Sequence, residues 1–186
     1  MKLYIKNMVC IRCIMIVERE LKNLGLQVKN IELGCAHVQG FISRKQLEKL
    51  NNALKKANLE LIEDKKTILT EKVKNIIIEM VHHSDELPKV NYSAYMSEKL
   101  SLNYTYISNT FSEVTGTTIE NYIIAHKIER VKELLMYNEL NLTQISYKMQ
   151  YSSVAHLSNQ FKKVTGQTPS RFKKLGNNKR LALEEL

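Results

Sequence analysis

The chain repeats itself at a spacing of 50 residues. The run ISNTFSEVTGTTIENY, Ile107 to Tyr122, returns as LSNQFKKVTGQTPSRF, Leu157 to Phe172. Ser108, Asn109, Phe111, Val114, Thr115, Gly116 and Thr118 recur as Ser158, Asn159, Phe161, Val164, Thr165, Gly166 and Thr168. Self-similarity at a fixed period means one supersecondary unit built twice. Each copy reads as a short helix, a tight break and a second amphipathic helix that ends at Thr-Gly. That is the layout of a helix-turn-helix, whose second helix enters the DNA major groove. Two such units constrain the C-terminal half to an all-helical, DNA-binding architecture.

Charge agrees with a polyanionic partner. The 186 residues carry a formal net charge of +9, and no Asp or Glu occurs between Leu140 and Leu183. That stretch holds Lys148, Lys162, Lys163, Arg171, Lys173, Lys174, Lys179 and Arg180. A solvated cationic surface is the plain alternative. The overlap with the second repeat favours a phosphate-facing surface. The most apolar N-terminal run, Met8 to Val17, is short and broken by Arg12, so it fails as a signal peptide and as a membrane span. The expected setting is the cytoplasm, where three cysteines serve as free thiols or metal ligands sooner than as disulfides.

The first 64 residues read as strand, helix, strand, strand, helix, strand. Leu3 and Ile5 alternate in the first strand, and Ile14, Val17, Leu21 and Leu24 follow at helical spacing until Gly25. Val28 to Leu33 and Ala36 to Ile42 form the second and third strands, with Gly34 and Cys35 as their turn. Ser43 with Gln46 makes a capping box. Leu47, Leu50 and Leu54 line the second helix, and Leu59 to Ile62 is the fourth strand. This βαββαβ order predicts an α+β, ferredoxin-like sandwich. The charged stretch Glu63 to Lys66 is the expected boundary, giving domains 1–64 and 65–175 and a charged tail at 176–186 that frays. Beyond the boundary the expected helices are Thr70 to His83, Ser93 to Leu100, Tyr104 to Val114, Ile119 to Tyr137, Thr143 to Met149, Ser153 to Val164, and a short one from Pro169.

The C-terminal half resembles the DNA-binding domain of the AraC/XylS family of transcription regulators, over roughly Thr70 to Lys174. The resemblance rests on NLTQISYKMQYSSVAHLSNQFKKVTGQTPSRFKK, with Ile145, Tyr151, Phe161, Gly166, Pro169 and Phe172 at the signature's positions, and on KIERVKELL as the connecting helix. Gln150 and Ser101 stand where the family's turns carry glycine, and Ser97 and Ser146 where it carries alanine. The resemblance implies two recognition helices entering major-groove segments ~34 Å apart on double-stranded DNA. Carried over by position, the groove-facing residues are Thr105, Ser108 and Asn109 in the first helix, and Ser153, Ala155, His156 and Asn159 in the second. Asn bonds an adenine edge in two places, and Ser serves either base type. With no Arg on either helix, A·T-leaning or shape-assisted readout is expected. Lys162, Lys163 and Arg171 are candidates for phosphate contacts. Ile107, Phe111, Leu157 and Phe161 are core. His156 has an alternative reading as an exposed bystander, and Tyr104 and Tyr106 as packing groups.

The N-terminal half holds one chemical motif, MVCIRC at Met8 to Cys13. Two thiols at a helix start, beside Lys6 and Arg12, favour thiolates. Soft thiolates select Cu(I) or Zn(II), and two ligands suit linear Cu(I) better than tetrahedral zinc. MxCxxC after the first strand of a βαββαβ unit resembles the heavy-metal-associated domain of copper chaperones and copper-transporting ATPases, over about Met1 to Asp64. The resemblance implies Cys10 and Cys13 as ligands and Met8 as core. Asn7 and Val9 depart from that family's usual glycine and hydroxyl residue. Cys35 is a candidate third thiolate, or a half-buried spectator.

The expectation is a regulator that binds DNA and responds to Cu(I) or another soft metal. Metal acts by changing domain packing or by joining a homodimer through shared thiolates, and it is delivered by a metal-donating partner protein. Two alternatives stay open. The small domain is a metal-free dimerisation or partner-binding module, or the whole chain is a metal-transfer or buffering protein. No catalytic constellation stands out, and His82 and His83, adjacent at a helix end, diverge. Membrane association is not expected.

Overall fold

Alternation of buried and more exposed side chains marks two of the four strands of the N-terminal sheet. The computed structural model describes residues 1–84, 87–88, 90–175 and 182–183. Strands β1 (Lys2–Lys6), β2 (Val28–Glu32), β3 (Cys35–Val38) and β4 (Glu60–Ile62) form one sheet in the order β2-β3-β1-β4, every neighbouring pair antiparallel. Helices α1 (Ile11–Asn23) and α2 (Arg44–Lys55) separate the strands in the order β1-α1-β2-β3-α2-β4. Leu3 and Ile5 of β1 and Ala36 and Val38 of β3 face one side of the sheet. There they bury with Val17 and Leu21 of α1, Leu50 and Leu54 of α2, and Met8. Residues between them in sequence must point to the other face. Ser43 caps α2 in the expected capping box, its hydroxyl accepting from Gln46 N–H and the Gln46 side chain accepting from Ser43 N–H.

Two expectations fail locally. Cys35 is not a turn residue: it opens β3, paired with Tyr4 and Glu32, and Gly34 alone supplies the left-handed turn at φ 79°. The positive φ favours glycine at position 34, where an added Cβ would also displace the side-chain amide of Asn75, from the helix that follows β4. β3 also stops at Val38, because Gly40 at φ 82° breaks the ladder.

Helix α3 (Lys65–Ile78) starts at the stretch expected to be a linker. The overlooked signal is Asp64, whose carboxylate accepts from the Thr67 N–H and hydroxyl, both at 2.8 Å. That is a side-chain cap on the first turn, and it holds the Asp64 carboxyl below the usual carboxylate range. The helix runs to a π-helical turn, Glu79–His83. Lys72 Nζ lies 5.1 Å from the Tyr4 ring centroid, on the sheet face away from α1 and α2. Glu71, itself buried, accepts from Asn7 N–H at 3.2 Å.

The remaining helices are α4 (Tyr92–Leu100), α5 (Tyr104–Thr115), α6 (Ile119–Tyr137), α7 (Leu142–Lys148), α8 (Val154–Thr165) and α9 (Pro169–Leu175). Two compact units result. One comprises Met1–Ile76 with Thr105–Gly116, the other Ile77–Tyr104 with Thr117–Leu186. The boundary expected after residue 64 therefore falls inside the first unit. The tail expected from 176 lies outside the described residues, apart from Ala182 and Leu183. In the second unit, α6 is the spine. Tyr122, Ile123, His126, Ile128, Val131, Leu134 and Leu135 are all buried, as are Lys127, Glu129 and Lys132, so the helix is covered on more than one side. Lys132 donates to Glu129, which compensates the buried charge of both.

The sequence repeat is also a repeat of hydrogen bonds. Thr115 Oγ1 donates to Phe111 O at 2.7 Å, and Thr165 Oγ1 to Phe161 O at 2.8 Å. Gly116 and Gly166 then turn left-handed at φ 72° and 76°. Thr118 and Thr168 accept from the N–H three residues on, opening α6 and α9. Each Thr-Gly-x-Thr thus ends one helix and starts the next.

Candidate nucleic-acid interface

The second helix-turn-helix lies wholly within one unit. Helix α7 is capped by Asn141, whose side-chain Oδ1 accepts from Gln144 N–H at 2.9 Å. Its C-terminus turns at Gln150, φ 51°, a left-handed position without the usual glycine. Gln150 holds that conformation with its side chain, donating to Leu87 O at 2.9 Å. Ser101 takes the equivalent place after α4, at φ 53° and ψ 39°. The two departures from glycine noted in the sequence are both backbone positions with positive φ.

Helix α8 presents one face to the interior and one outward. Leu157 and Phe161 are fully buried, and Phe161 meets Phe172 of α9 with ring centroids 5.5 Å apart. Ala155, His156, Asn159, Lys162 and Lys163 are exposed on the same helix, and Arg171 is exposed on α9. Lys162 and Lys163 sit in the last turn of α8, where a cation also suits the helix dipole. A short polar side chain able to read base edges is thereby flanked by cations able to bind phosphate.

Two sequence-expected residues have duties beyond presenting a polar tip. Ser153 is the N-cap of α8, its hydroxyl accepting from His156 N–H at 3.0 Å. His156 Nδ1 lies 3.0 Å from the Ser152 hydroxyl, and its ring meets Tyr151 edge-on at 5.2 Å. The ring is therefore held in place on the exposed face of α8. Sequence reading missed Ser152 as its partner, because Ser at that position carries no periodic signal.

Helix α5, the expected first recognition helix, is chemically poorer. Thr105 and Asn109 are exposed, and Ile107 and Phe111 are buried. Ser108 is half-buried, with its hydroxyl donating to Thr105 O at 3.2 Å. Tyr106 is exposed. No cation occurs on α5, and Glu113, in the place of Lys163, pairs with Lys66 Nζ at 2.6 Å. The ion pair offsets the acidic group on a helix expected to face DNA.

The cysteine pair forms as expected, and the third ligand does not. Cys10 is the N-cap of α1, and its Sγ lies 3.4 Å from Cys13 Sγ. Burial raises the Cys10 thiol, but the N–H groups of Cys13 and Arg12, the Cys13 thiol and the Arg12 charge outweigh it and leave Cys10 below its ordinary value. Burial and the neighbouring Cys10 push Cys13 up. Of the two thiols, Cys10 is the one that releases its proton more readily. Asn7, in the left-handed conformation at φ 64°, turns the chain from β1 into this loop, and Met8 behind it is fully buried. Cys35 alternates with the core-facing Ala36, so it points to the other side of the sheet, and burial raises its thiol. Among the described residues no three His, Cys, Asp or Glu side chains converge as a metal site.

Residues 96–175 match the family model described as a helix-turn-helix domain. This part of the chain resembles the helix-turn-helix domains of transcription regulators. The chain is similar to the Msm operon regulatory protein of Streptococcus mutans, at 28% identity over 98 residues, which are 48% of this chain and 35% of that protein. It is 23% identical over 154 residues, or 81% of its length, to a Bacillus subtilis protein described as an uncharacterized HTH-type transcriptional regulator, covering 20% of that protein. The chain thus spans about a third or less of the length of both relatives. Among solved structures, the C-terminal domain of AraT, a response regulator from Geobacillus stearothermophilus, shares the fold. Its TM-score is 0.51 at 18% identity, covering 64% of this chain and 92% of that one. No helix among the described residues is long and apolar enough to cross a membrane.

Proposed function

We propose that the protein is a transcription regulator that binds a specific double-stranded DNA site through α5 and α8, with α8 supplying most of the phosphate attraction. The observation that carries this reading is the outward face of α8, where exposed Asn159 and His156 stand beside exposed Lys162 and Lys163. The matched domain and the relatives' descriptions as regulators support it. Selection of duplexes from a random pool by the full chain tests it. Asn159→Ala should weaken the selected site by ~1–3 kcal/mol and relax one base position, and Lys163→Ala should weaken all sequences about equally and lower the salt slope by about one. Failure to enrich any sequence would refute the reading.

A second reading concerns the N-terminal sheet. We read its βαββαβ order and β2-β3-β1-β4 arrangement as a ferredoxin-like sandwich, a reading that the antiparallel pairing of neighbouring strands supports. In that setting the Cys10–Cys13 pair, 3.4 Å apart and half-exposed, is the feature that favours soft-metal binding. The donor set fits a low-coordinate Cu(I) held by Cys10 and Cys13. It does not fit tetrahedral Zn(II), which needs ligands that the described residues do not bring together. Bound metal would supply charge and a cross-link at the start of α1. The protein's own contribution is to lower the Cys10 thiol through backbone N–H groups, with Met8 packed beneath.

A further inference from the structure

The second unit contains a cleft of ≈ 460 Å³ bordered by the start of α4, by α6 and by the α7–α8 turn. Its lining includes Tyr92, Tyr104, Ile123, Ile124, Lys127 and Tyr151. Two groups in it are chemically unfinished. Lys127 is 8% exposed, and its ammonium lies 4.3 Å from the Tyr151 ring centroid. No carboxylate pairs with it among the described residues, although Glu120 lines the same cleft. Burial alone pulls its amine down to about 8. Tyr151, also 8% exposed, has its hydroxyl oxygen sealed from water with no hydrogen-bond partner among the described residues.

A buried cation without an anion and a buried hydroxyl without a partner each cost stability. Here the Lys127 ammonium lies over the Tyr151 ring, and both residues line a cavity of ligand size. We propose that the cleft binds a small organic monocarboxylate, its carboxylate set against Lys127 Nζ and the Tyr151 hydroxyl and its apolar body among Tyr92, Tyr104 and Ile124. One buried positive charge matches one negative charge, so a dianion such as a phosphomonoester would leave charge uncompensated. A DNA backbone phosphate is excluded by the burial, because duplex DNA reaches exposed cations and Lys127 is covered. His156 of α8 also lines the cleft, so a ligand there touches the helix assigned to base reading. The site is independent of the cysteine pair and offers an effector input within the DNA-binding unit itself.

The test uses the full chain and three carboxylates of different shape, benzoate, hexanoate and indole-3-acetate, each beside its neutral amide, in calorimetric titrations at pH 7. At least one carboxylate should bind roughly tenfold more tightly than its amide, the value of a buried charge-assisted hydrogen bond. Lys127→Met should abolish that preference. Tyr151→Phe keeps the ring and removes the unpartnered hydroxyl, so it should fold normally and reduce the preference several-fold. It keeps the proposal testable if the Lys127 variant does not fold. Binding should also take up protons at pH 8, read as an enthalpy that changes with the buffer's ionisation heat. No preference of any carboxylate over its amide would overturn the proposal. So would a preference that survives in either folded variant, or a Lys127→Met protein altered only in the salt slope of duplex binding.

Discussion

Ser153 separates the stability of the reading helix from its charge. Its hydroxyl caps α8 by accepting from His156 N–H at 3.0 Å, and its side chain is exposed on the face assigned to DNA. Ser153→Ala deletes the cap and leaves the first-turn N–H groups to water, at a cost of about 1 kcal/mol. For a unit of roughly this size, that lowers the melting midpoint by about 4–8 °C. Ser153→Asp keeps an acceptor in place and sets a negative charge at the positive end of the helix, which is worth about 0.3–1 kcal/mol. The Asp variant should therefore melt at or above the parent. On DNA the order reverses. A carboxylate about 7 Å from a backbone phosphate in a largely aqueous setting is repelled by about 0.6 kcal/mol, and by several times that where water is excluded. The Asp variant should lose about threefold or more in affinity for the selected duplex, and the loss should shrink as salt is raised. Circular dichroism melts and fluorescence anisotropy at two salt concentrations measure both. A Ser153→Asp protein that binds as tightly as the parent at low salt would place this end of α8 away from DNA. A Ser153→Ala protein with an unchanged midpoint would remove the cap from the account.

Ser101 occupies the left-handed region with a side chain, at a strain of about 1–2 kcal/mol. Glycine there relieves the strain and gives back about 0.5–1 kcal/mol as chain entropy. Ser101→Gly should therefore raise stability by about 0.5–1 kcal/mol in urea titrations, and an unchanged or lower midpoint would contradict the strain. For the cysteine pair, competition against a chromophoric Cu(I) chelator under reducing conditions should show one ion held by the parent and none by Cys10→Ser/Cys13→Ser. Cys35→Ser should match the parent, because Cys35 faces the other side of the sheet. Because the Cys10 thiol lies below its ordinary value, its thiolate persists to lower pH than a free thiol's, and copper retention should fall only on further acidification. Copper held equally by the double variant would end the metal reading.

The local elements were legible in the sequence because they are set by local rules. The 50-residue repeat carries its own hydrogen bonds at Thr115 and Thr165, its turns at Gly116 and Gly166 and its caps at Thr118 and Thr168, all within a few residues of one another. The capping box at Ser43 and the alternation of Leu3 with Ile5 are of the same kind. Helix spacing likewise separated buried Leu157 and Phe161 from exposed Asn159 and Lys163. What the sequence left undecided depends on groups far apart in the chain. Charge at Glu63 to Lys66 read as a linker, whereas Asp64 caps a helix whose Glu71 and Lys72 reach Asn7 and Tyr4. Cys35 read as a companion of Cys10 and Cys13 because all three belong to the same end of the sheet. The strand pairing with Tyr4 then puts its side chain on the opposite face, and a one-residue difference in a strand reverses direction. The partners of Glu113 and the ring beneath Lys127 lie 47 and 24 residues away. No periodicity encodes such pairs: only the tertiary structure brings a lone lysine against a tyrosine and leaves both facing a cleft.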